Sequence, residues 1–182
     1  MAHIQVIYKM NSESIQLFQD IMSSEDTKRK AAEEKLNSLK NVPFETSVNV
    51  FISGMNFNDS KISNLAALLL KKTLIDDKEF FLKIQAEKVT ELTNLLLSYI
   101  RFDREQKFLQ RVGDILAKIH FYLNTLPAIF PTIVNWFSDP LPQAREFSIY
   151  MIESLCEIGA IEDKIVESSI TEFNTLFNKG KK

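Results

Sequence analysis

The apolar positions of this chain recur at the three- and four-residue spacing of helices along most of its 182 residues. A period of about 3.6 residues is typical of amphipathic α-helices, whereas a half-buried strand alternates at every second residue. The pattern therefore predicts an all-α protein. The expected helices cover residues 12–22, 25–40, 43–57, 59–75, 84–101, 103–122, 127–137, 141–158 and 163–178.

The first eight of these helices pair into four helical hairpins, and the ninth is left without a partner. The hairpins follow one another at intervals of about 35–45 residues, which is the range of HEAT and armadillo repeats. A single short repeat cannot bury its apolar face, so neighbouring repeats stack. We therefore expect an α-α superhelix, a HEAT/armadillo-type solenoid that forms one domain over residues 1–182.

The second helices of the hairpins share a register, which supports an internal repeat. Each contains a small residue followed four positions later by a larger one. The pairs are Ala32 with Leu36, Ala66 with Leu70, Ser148 with Ile152 and, less regularly in the third hairpin, Gly113 with Ala117. In the first and fourth hairpins an arginine, Arg29 or Arg145, stands three positions before the small residue.

Turn and capping residues predict several helix ends. One of Asn58, Asp59 or Ser60 is expected to begin the fourth helix, because short polar side chains cap free backbone N–H groups. Pro131, with a second proline four residues earlier, is expected to bound the start of the helix near 127–137. Gly159 suits the position just after a helix, where left-handed backbone is common.

Composition excludes several classes of protein. The net charge of −2 argues against binding nucleic acid by phosphate neutralisation. The longest apolar run, NLAALLLKKTL, contains two lysines and falls short of the roughly 20 apolar residues of a membrane-spanning helix. The N-terminus lacks the basic and apolar regions of a secretory signal. Cys156, in an apolar helical context, is expected to pack in the core. The chain is therefore expected to be soluble and intracellular.

No residue pattern predicts an enzyme, a cofactor or a metal site. The two histidines, His3 and His120, are 117 positions apart, and no Cys or His pairs have metal-ligand spacing. The four glycines are isolated, so no phosphate-binding loop is present. His120 is expected to be a core or half-buried residue. Trp136 follows helical spacing with Ile133 and Phe137 and is expected to lie in the core or to form a wedge between repeats. A binding function is therefore favoured over catalysis.

The fourth helix is apolar around nearly its whole circumference. On a wheel of 100° per residue, Ile62, Ala66 and Leu69 face one way, whereas Asn64 and Lys71 face the opposite way. A helix flanked by neighbouring repeats and open along one strip would show this pattern. We therefore expect Asn64 and Lys71 to reach solvent on the concave side of the solenoid.

The same construction on the other second helices predicts the rest of the concave surface. It contains Lys30, Glu34 and Asn37 in the first hairpin and Glu146, Tyr150, Glu153 and Glu157 in the fourth. This surface becomes more acidic toward the C-terminus, which would steer basic partners toward it. The alternative for each residue alone is that it is an ordinary solvated side chain.

Residues 12–75 resemble the N-terminal region of the importin-beta (karyopherin-beta) family of nuclear transport receptors. Ala32-Glu33 with Leu36 matches the first repeat of the family, and Ala66-Ala67, Leu70-Lys71 and Leu74 match the second. The pattern is most similar to the importin-beta-three group. Two positions depart from it. Ser63 stands where the family has arginine, and Phe80 and Phe81 lie near the place of a common tryptophan.

The resemblance implies a nuclear transport receptor that shuttles between cytoplasm and nucleus through the nuclear pore. In this family the second helices of the N-terminal repeats bind the small GTPase Ran in its GTP form. Ran contacts would therefore fall on Lys30, Glu34, Asn37, Asn64, Lys71, Glu146, Tyr150 and Glu153. Nucleoporins and cargo would be bound by the full-length chain. Family members are much longer, so this chain is expected to be an N-terminal fragment whose helix 163–178 is partly uncovered.

A second hypothesis is a HEAT-repeat scaffold subunit that assembles protein complexes outside nuclear transport. Such a scaffold would not distinguish the GTP form of Ran from its GDP form.

Overall fold

The computed structural model describes residues 12–82, 84–123 and 126–159, and every regular element within these ranges is a helix. The all-α prediction is therefore confirmed for this part of the chain, while the expected helix 163–178 lies outside the described residues. The helices are α1 (Ser12–Ile21), α2 (Asp26–Ser38), α3 (Phe44–Met55), α4 (Ser60–Leu70), α5 (Lys78–Phe81), α6 (Ala86–Ser98), α7 (Gln106–Leu123), α8 (Leu126–Phe137) and α9 (Pro142–Glu157).

The chain forms two compact units, one ending at Ile115 and the other beginning at Leu116, within α7. In the first unit α1 packs against α2, α3 and α4, and α3 packs against α4. The rings of Tyr99 and Phe108 meet edge-on at a centroid distance of 6.2 Å where α6 turns into α7. In the second unit α8 packs against α9. The predicted first, second and fourth hairpins are therefore confirmed as packed helix pairs.

In the core of the first unit, α1, α3 and α4 approach closely at Gly54. The rings of Phe18 and Phe51 are fully buried with their centroids 6.3 Å apart. A Cβ atom on Gly54 would lie 2.7 Å from the Cβ of Ala66 and would also clash with the Phe18 ring. Glycine is needed here because the three helices approach more closely than any side chain permits.

Two predicted helix ends are confirmed. The Asp59 carboxylate accepts hydrogen bonds from the backbone N–H groups of Lys61 (2.8 Å) and Ile62 (3.3 Å), and so caps α4. Gly159 follows α9 with φ of +70°, the left-handed conformation that glycine adopts readily.

Pro131 does not bound a helix. It lies inside α8, which begins at Leu126, so its predicted role is wrong. A proline in a helix interior removes the hydrogen bond to the carbonyl four residues earlier. In α8 that carbonyl belongs to Pro127, in the first turn, so the loss is confined to the beginning of the helix.

The predicted helix 59–75 changes its winding at Lys71. After α4, residues Lys71–Ile75 form a π-helical turn, in which the Asp76 N–H donates to the Lys71 carbonyl at 2.8 Å. Single π turns are rare in proteins. The connection expected over residues 76–83 contains the short helix α5. None of the helices in the described ranges combines the length and the apolar run that a membrane crossing requires.

Candidate binding surface on the second helices

The three candidate residues on α2, Lys30, Glu34 and Asn37, are all exposed. They lie on one side of α2, away from the buried residues Ala32 and Leu36. Successive positions at three- and four-residue spacing share a helix face, so these side chains form a continuous polar strip. The predicted exposure of these three residues is therefore confirmed.

Asn64 is not open to solvent. Its side chain is only 8% exposed, and its Nδ2 donates to the Ser60 carbonyl at 2.8 Å and to Glu105 Oε2 at 2.9 Å. The guanidinium of Arg111 donates to the Asn64 backbone carbonyl and, at 3.2 Å, to its Oδ1. The prediction that Asn64 reaches solvent is therefore wrong, because residues in and just before α7 cover this side of α4.

Lys71 is half-buried and is paired within the chain. Its Nζ lies 3.2 Å from Asp114 Oδ2 in α7, and both side chains are 27% exposed. The expected access of Lys71 to solvent is therefore only partial. Its neighbour Lys72 is exposed. A partner that binds Lys71 would have to share it with Asp114.

In the second unit, Glu146, Glu153 and Glu157 are exposed on α9, as an acidic binding surface would require. Tyr150 is half-buried, and its ring stacks on Phe147 with centroids 6.4 Å apart.

Phe147 itself is buried in the core of this unit. Trp136 of α8 meets the Phe147 ring at 5.3 Å, and Trp136 itself is only half-buried. Trp136 therefore packs against a buried residue of α9 without being fully buried itself.

Contacts within the first unit show that α4 and α7 run side by side in the same direction. Asn64, near the start of α4, meets Glu105 and Arg111, whereas Lys71, just past its end, meets Asp114. Positions that lie later in α4 thus meet positions that lie later in the α7 region.

The first helices of the same two hairpins follow a similar course. Lys88, near the start of α6, lies 3.7 Å from Glu45, near the start of α3. At the other end of α3, the Met55 carbonyl accepts a hydrogen bond of 3.3 Å from Arg104, which follows α6. Within the first unit, α6 and the beginning of α7 therefore lie beside α3 and α4 with matching orientation.

A similar backbone contact occurs in both units. Arg29 Nη1 donates to the carbonyl of Ser23, six residues earlier, at 3.4 Å. Arg145 Nη1 donates to the carbonyl of Asp139, also six residues earlier, at 2.8 Å. In both cases an arginine in the second helix binds the turn that precedes that helix. The alignment of Arg29 with Arg145 thus corresponds to a shared local structure.

Sequence reasoning missed three residues of α7 and its approach, namely Glu105, Arg111 and Asp114. The signal was present but weak, because the third hairpin fits the shared register poorly. Arg111 stands two positions before Gly113, as Asn64 stands two positions before Ala66. These equivalent positions on adjacent second helices are the ones that hydrogen-bond in the structure.

Cys156 is exposed, so its predicted packing in the core is wrong. The buried face of α9 contains Ala144, Phe147, Ser148, Met151 and Leu155. Cys156 follows Leu155 and therefore lies about 100° around the helix from that residue.

Other candidate chemistry is sparse. His120 is 5% exposed, in agreement with its predicted place in or near the core. Across residues 12–82, 84–123 and 126–159, no three His, Cys, Asp or Glu side chains are grouped as a metal site.

Comparisons with protein-family models, with curated proteins and with solved structures gave no match to this chain.

Proposed function

We propose that this chain is a HEAT-type helical-repeat segment of the importin-beta kind, which binds Ran in its GTP form as part of nucleocytoplasmic protein transport. The observation that carries the proposal is the pairing of α4 with α7. Second helices of successive hairpins that run side by side in the same direction are what a solenoid of stacked hairpins requires. The Asn64–Glu105, Asn64–Arg111 and Lys71–Asp114 contacts follow this arrangement.

Two further observations support a repeat architecture. The Glu45–Lys88 contact pairs the first helices of the same two hairpins at corresponding ends. Arg29 and Arg145 bind the turns that precede their helices in the same way, although they lie in different units. Shared local chemistry at aligned positions favours one structural unit used repeatedly over two unrelated helical folds.

The binding surface in this proposal differs from the one expected from sequence. Lys30, Glu34 and Asn37 on α2 provide its exposed part in the first unit, with Lys71 half-accessible. Asn64 instead holds α4 to α7. Glu146, Tyr150 and Glu153 are the candidates in the second unit. In the full-length receptor, later repeats would bind cargo and nucleoporins during shuttling between cytoplasm and nucleus.

The test is a titration of the chain with Ran loaded with GTP or with GDP. Binding of the GTP form alone supports the proposal. Reversal of charges on the α2 strip, in Lys30→Glu/Glu34→Lys, should weaken this binding by about tenfold or more, because charges that meet a partner contribute to affinity and association rate.

Lys35→Glu is the matched control, because Lys35 is also exposed on α2 but lies on a different face. It should bind Ran-GTP as the wild type does. Equal binding of both nucleotide forms, or of neither, would contradict the proposal. Equal binding of both forms would favour the scaffold hypothesis.

A further inference from the structure

A groove of about 510 Å³ lies between α1 and α2, on a side of the first hairpin that the Ran proposal does not use. Its α1 wall contains Glu13, Leu17 and Asp20, which share one helix face at four- and three-residue spacing. Phe18, whose ring meets Phe51 of α3, lies roughly 150° around α1 from the Glu13–Asp20 edge. The groove therefore faces away from the rest of the packed core.

The two walls of the groove carry opposite charge. The α1 wall provides the carboxylates of Glu13 and Asp20, and the α2 wall provides the ammonium groups of Lys28 and Lys35. Because a short turn joins α1 to α2, the helices are antiparallel. Glu13 and Lys35 therefore lie at one end of the groove, and Asp20 and Lys28 lie at the other.

The floor of the groove is apolar and shallow. It contains Leu17, which is 4% exposed, and the methyl groups of Ala31 and Ala32. Small side chains between two helices allow another helix to approach closely. A partner that fits must therefore present a shallow apolar surface flanked by one acidic and one basic edge.

We propose that a second copy of this chain docks on the groove through a two-fold axis parallel to α1 and α2. Rotation about this axis places the α1 of one copy against the α2 of the other and keeps corresponding ends together. Glu13 then meets Lys35 of the second copy, and Asp20 meets Lys28 of the second copy. Each pair occurs twice, as a two-fold interface requires.

The charges also exclude the other face-to-face arrangement. The other two-fold axis lies in the contact plane but is perpendicular to the helices. It would place α1 of one copy on α1 of the other, and α2 on α2, with their ends reversed. Glu13 would then meet Asp20 of the second copy, and Lys28 would meet Lys35 of the second copy. Like charges placed in contact oppose association. The distribution of charge thus selects one of the two symmetric ways in which the grooves can meet.

Contacts within the chain leave Lys28 and Asp20 able to bind a further group. Lys28 Nζ lies 2.8 Å from Glu25 Oε1, but the Lys28 side chain is 54% exposed, and an ammonium group has three donors. Asp20 Oδ1 accepts from Gln16 Nε2 at 2.9 Å, and a carboxylate has a second oxygen. Both groups can therefore take a partner at the rim of the groove.

The dimer should be weak and sensitive to salt. Stable interfaces bury roughly 1,200–2,000 Å² in total, and one groove between two short helices offers a small contact. Its charge pairs lie at the exposed rim, where dissolved ions screen them. The interaction should therefore be a fast equilibrium that is populated at high protein concentration and low salt.

Sedimentation equilibrium of the 182-residue chain, from micromolar to about millimolar concentration, tests this proposal. Glu13→Lys and Lys35→Glu should each raise the dimer dissociation constant by about tenfold, because each replaces both Glu13–Lys35 pairs, at one end of the interface, with pairs of like charge. The double variant Glu13→Lys/Lys35→Glu should return the dissociation constant to about the wild-type value, because the same pairs then form with their charges exchanged. Glu34→Lys, exposed on α2 outside the groove, is the control and should leave it unchanged.

Circular dichroism and thermal melting of each variant separate a loss of folding from a loss of association. A chain that stays monomeric over the whole concentration range would overturn the proposal. So would dimerisation that the single reversals do not weaken, or a double variant that associates no better than either single one.

Discussion

The Lys71 ammonium lies 3.2 Å from the Asp114 carboxylate and so joins the end of α4 to the middle of α7. The residue that sequence predicted as a contact for Ran is therefore also a contact between two hairpins. A substitution of Lys71 alone would therefore affect both the predicted binding of Ran and the contact between the hairpins. Its effect on stability has to be measured before its effect on binding can be interpreted.

Lys71→Glu should lower the free energy of unfolding by about 1 kcal/mol, because it replaces a partly exposed ion pair with two like charges. Lys71→Glu/Asp114→Lys should recover most of this loss. Urea denaturation measures both. Lys72→Glu, on the exposed neighbour, should stay within about 0.5 kcal/mol of wild type. Equal stability of Lys71→Glu and wild type would show that the pair contributes nothing.

Asn64→Leu should destabilise the chain by roughly 1–3 kcal/mol, because Glu105 and Arg111 would each lose a polar partner in a partly buried place. The exposed Asn37 provides a matched control, and Asn37→Leu should have little effect on unfolding. Both variants can be followed by chemical denaturation with circular dichroism. A stable Asn64→Leu variant would mean that the α4–α7 hydrogen bonds are dispensable.

Gly54→Ala should destabilise the fold by about 1–3 kcal/mol, although alanine favours helix more than glycine does. The added methyl group has no room between Phe18 and Ala66. Phe18→Leu in the same chain should relieve part of the clash, so the two substitutions should be less than additive. Thermal melts of the single and double variants decide this. If the losses of stability of the two single variants add fully in the double variant, the clash with Phe18 is not the cause of the destabilisation by Gly54→Ala.

Cys156 should react with a thiol reagent in the folded protein, because it is exposed. Labelling with a chromogenic disulfide in native buffer should modify one thiol per chain at a rate close to that in urea. The chain has a single cysteine, so the signal is unambiguous. Labelling that appears only after unfolding would show that the thiol is covered.

High pH should weaken the contribution of Lys88 to the stability of the folded protein. Its hydrogen bond to Glu91 and the charge of that carboxylate raise the pKa of Lys88 above 10.5. A raised pKa in the folded state stabilises the fold below the pKa of the unfolded chain, and this effect disappears as pH rises through the folded value. The difference in melting temperature between wild type and Lys88→Met should therefore shrink above about pH 10.5. A constant difference would indicate that the lysine acts through packing.

The sequence predicted the helices and their ends better than it predicted which helix surfaces are covered by other helices. Helical periodicity placed α1 to α4 and α6 to α9 close to their observed ranges, and Asp59 and Gly159 marked ends because local backbone geometry determines such positions. The exposure of Asn64 was mispredicted because a helical wheel shows which residues share a face, but not what covers that face. Arg111 and Glu105 come from more than 40 positions away, in the hairpin with the least regular register.

The π turn at Lys71–Ile75 has a consequence for the tolerance of the chain to changes in length. Its hydrogen bond spans five residues where an α-helical bond spans four, so the turn holds one residue more than an α-helix needs. Deletion of a single residue there would leave an ordinary α-helical turn, with α4 and the following connection still joined. The same deletion in the middle of α4 would rotate every later side chain by about 100°. The end of α4 should therefore tolerate the loss of one codon better than the middle of α4 does.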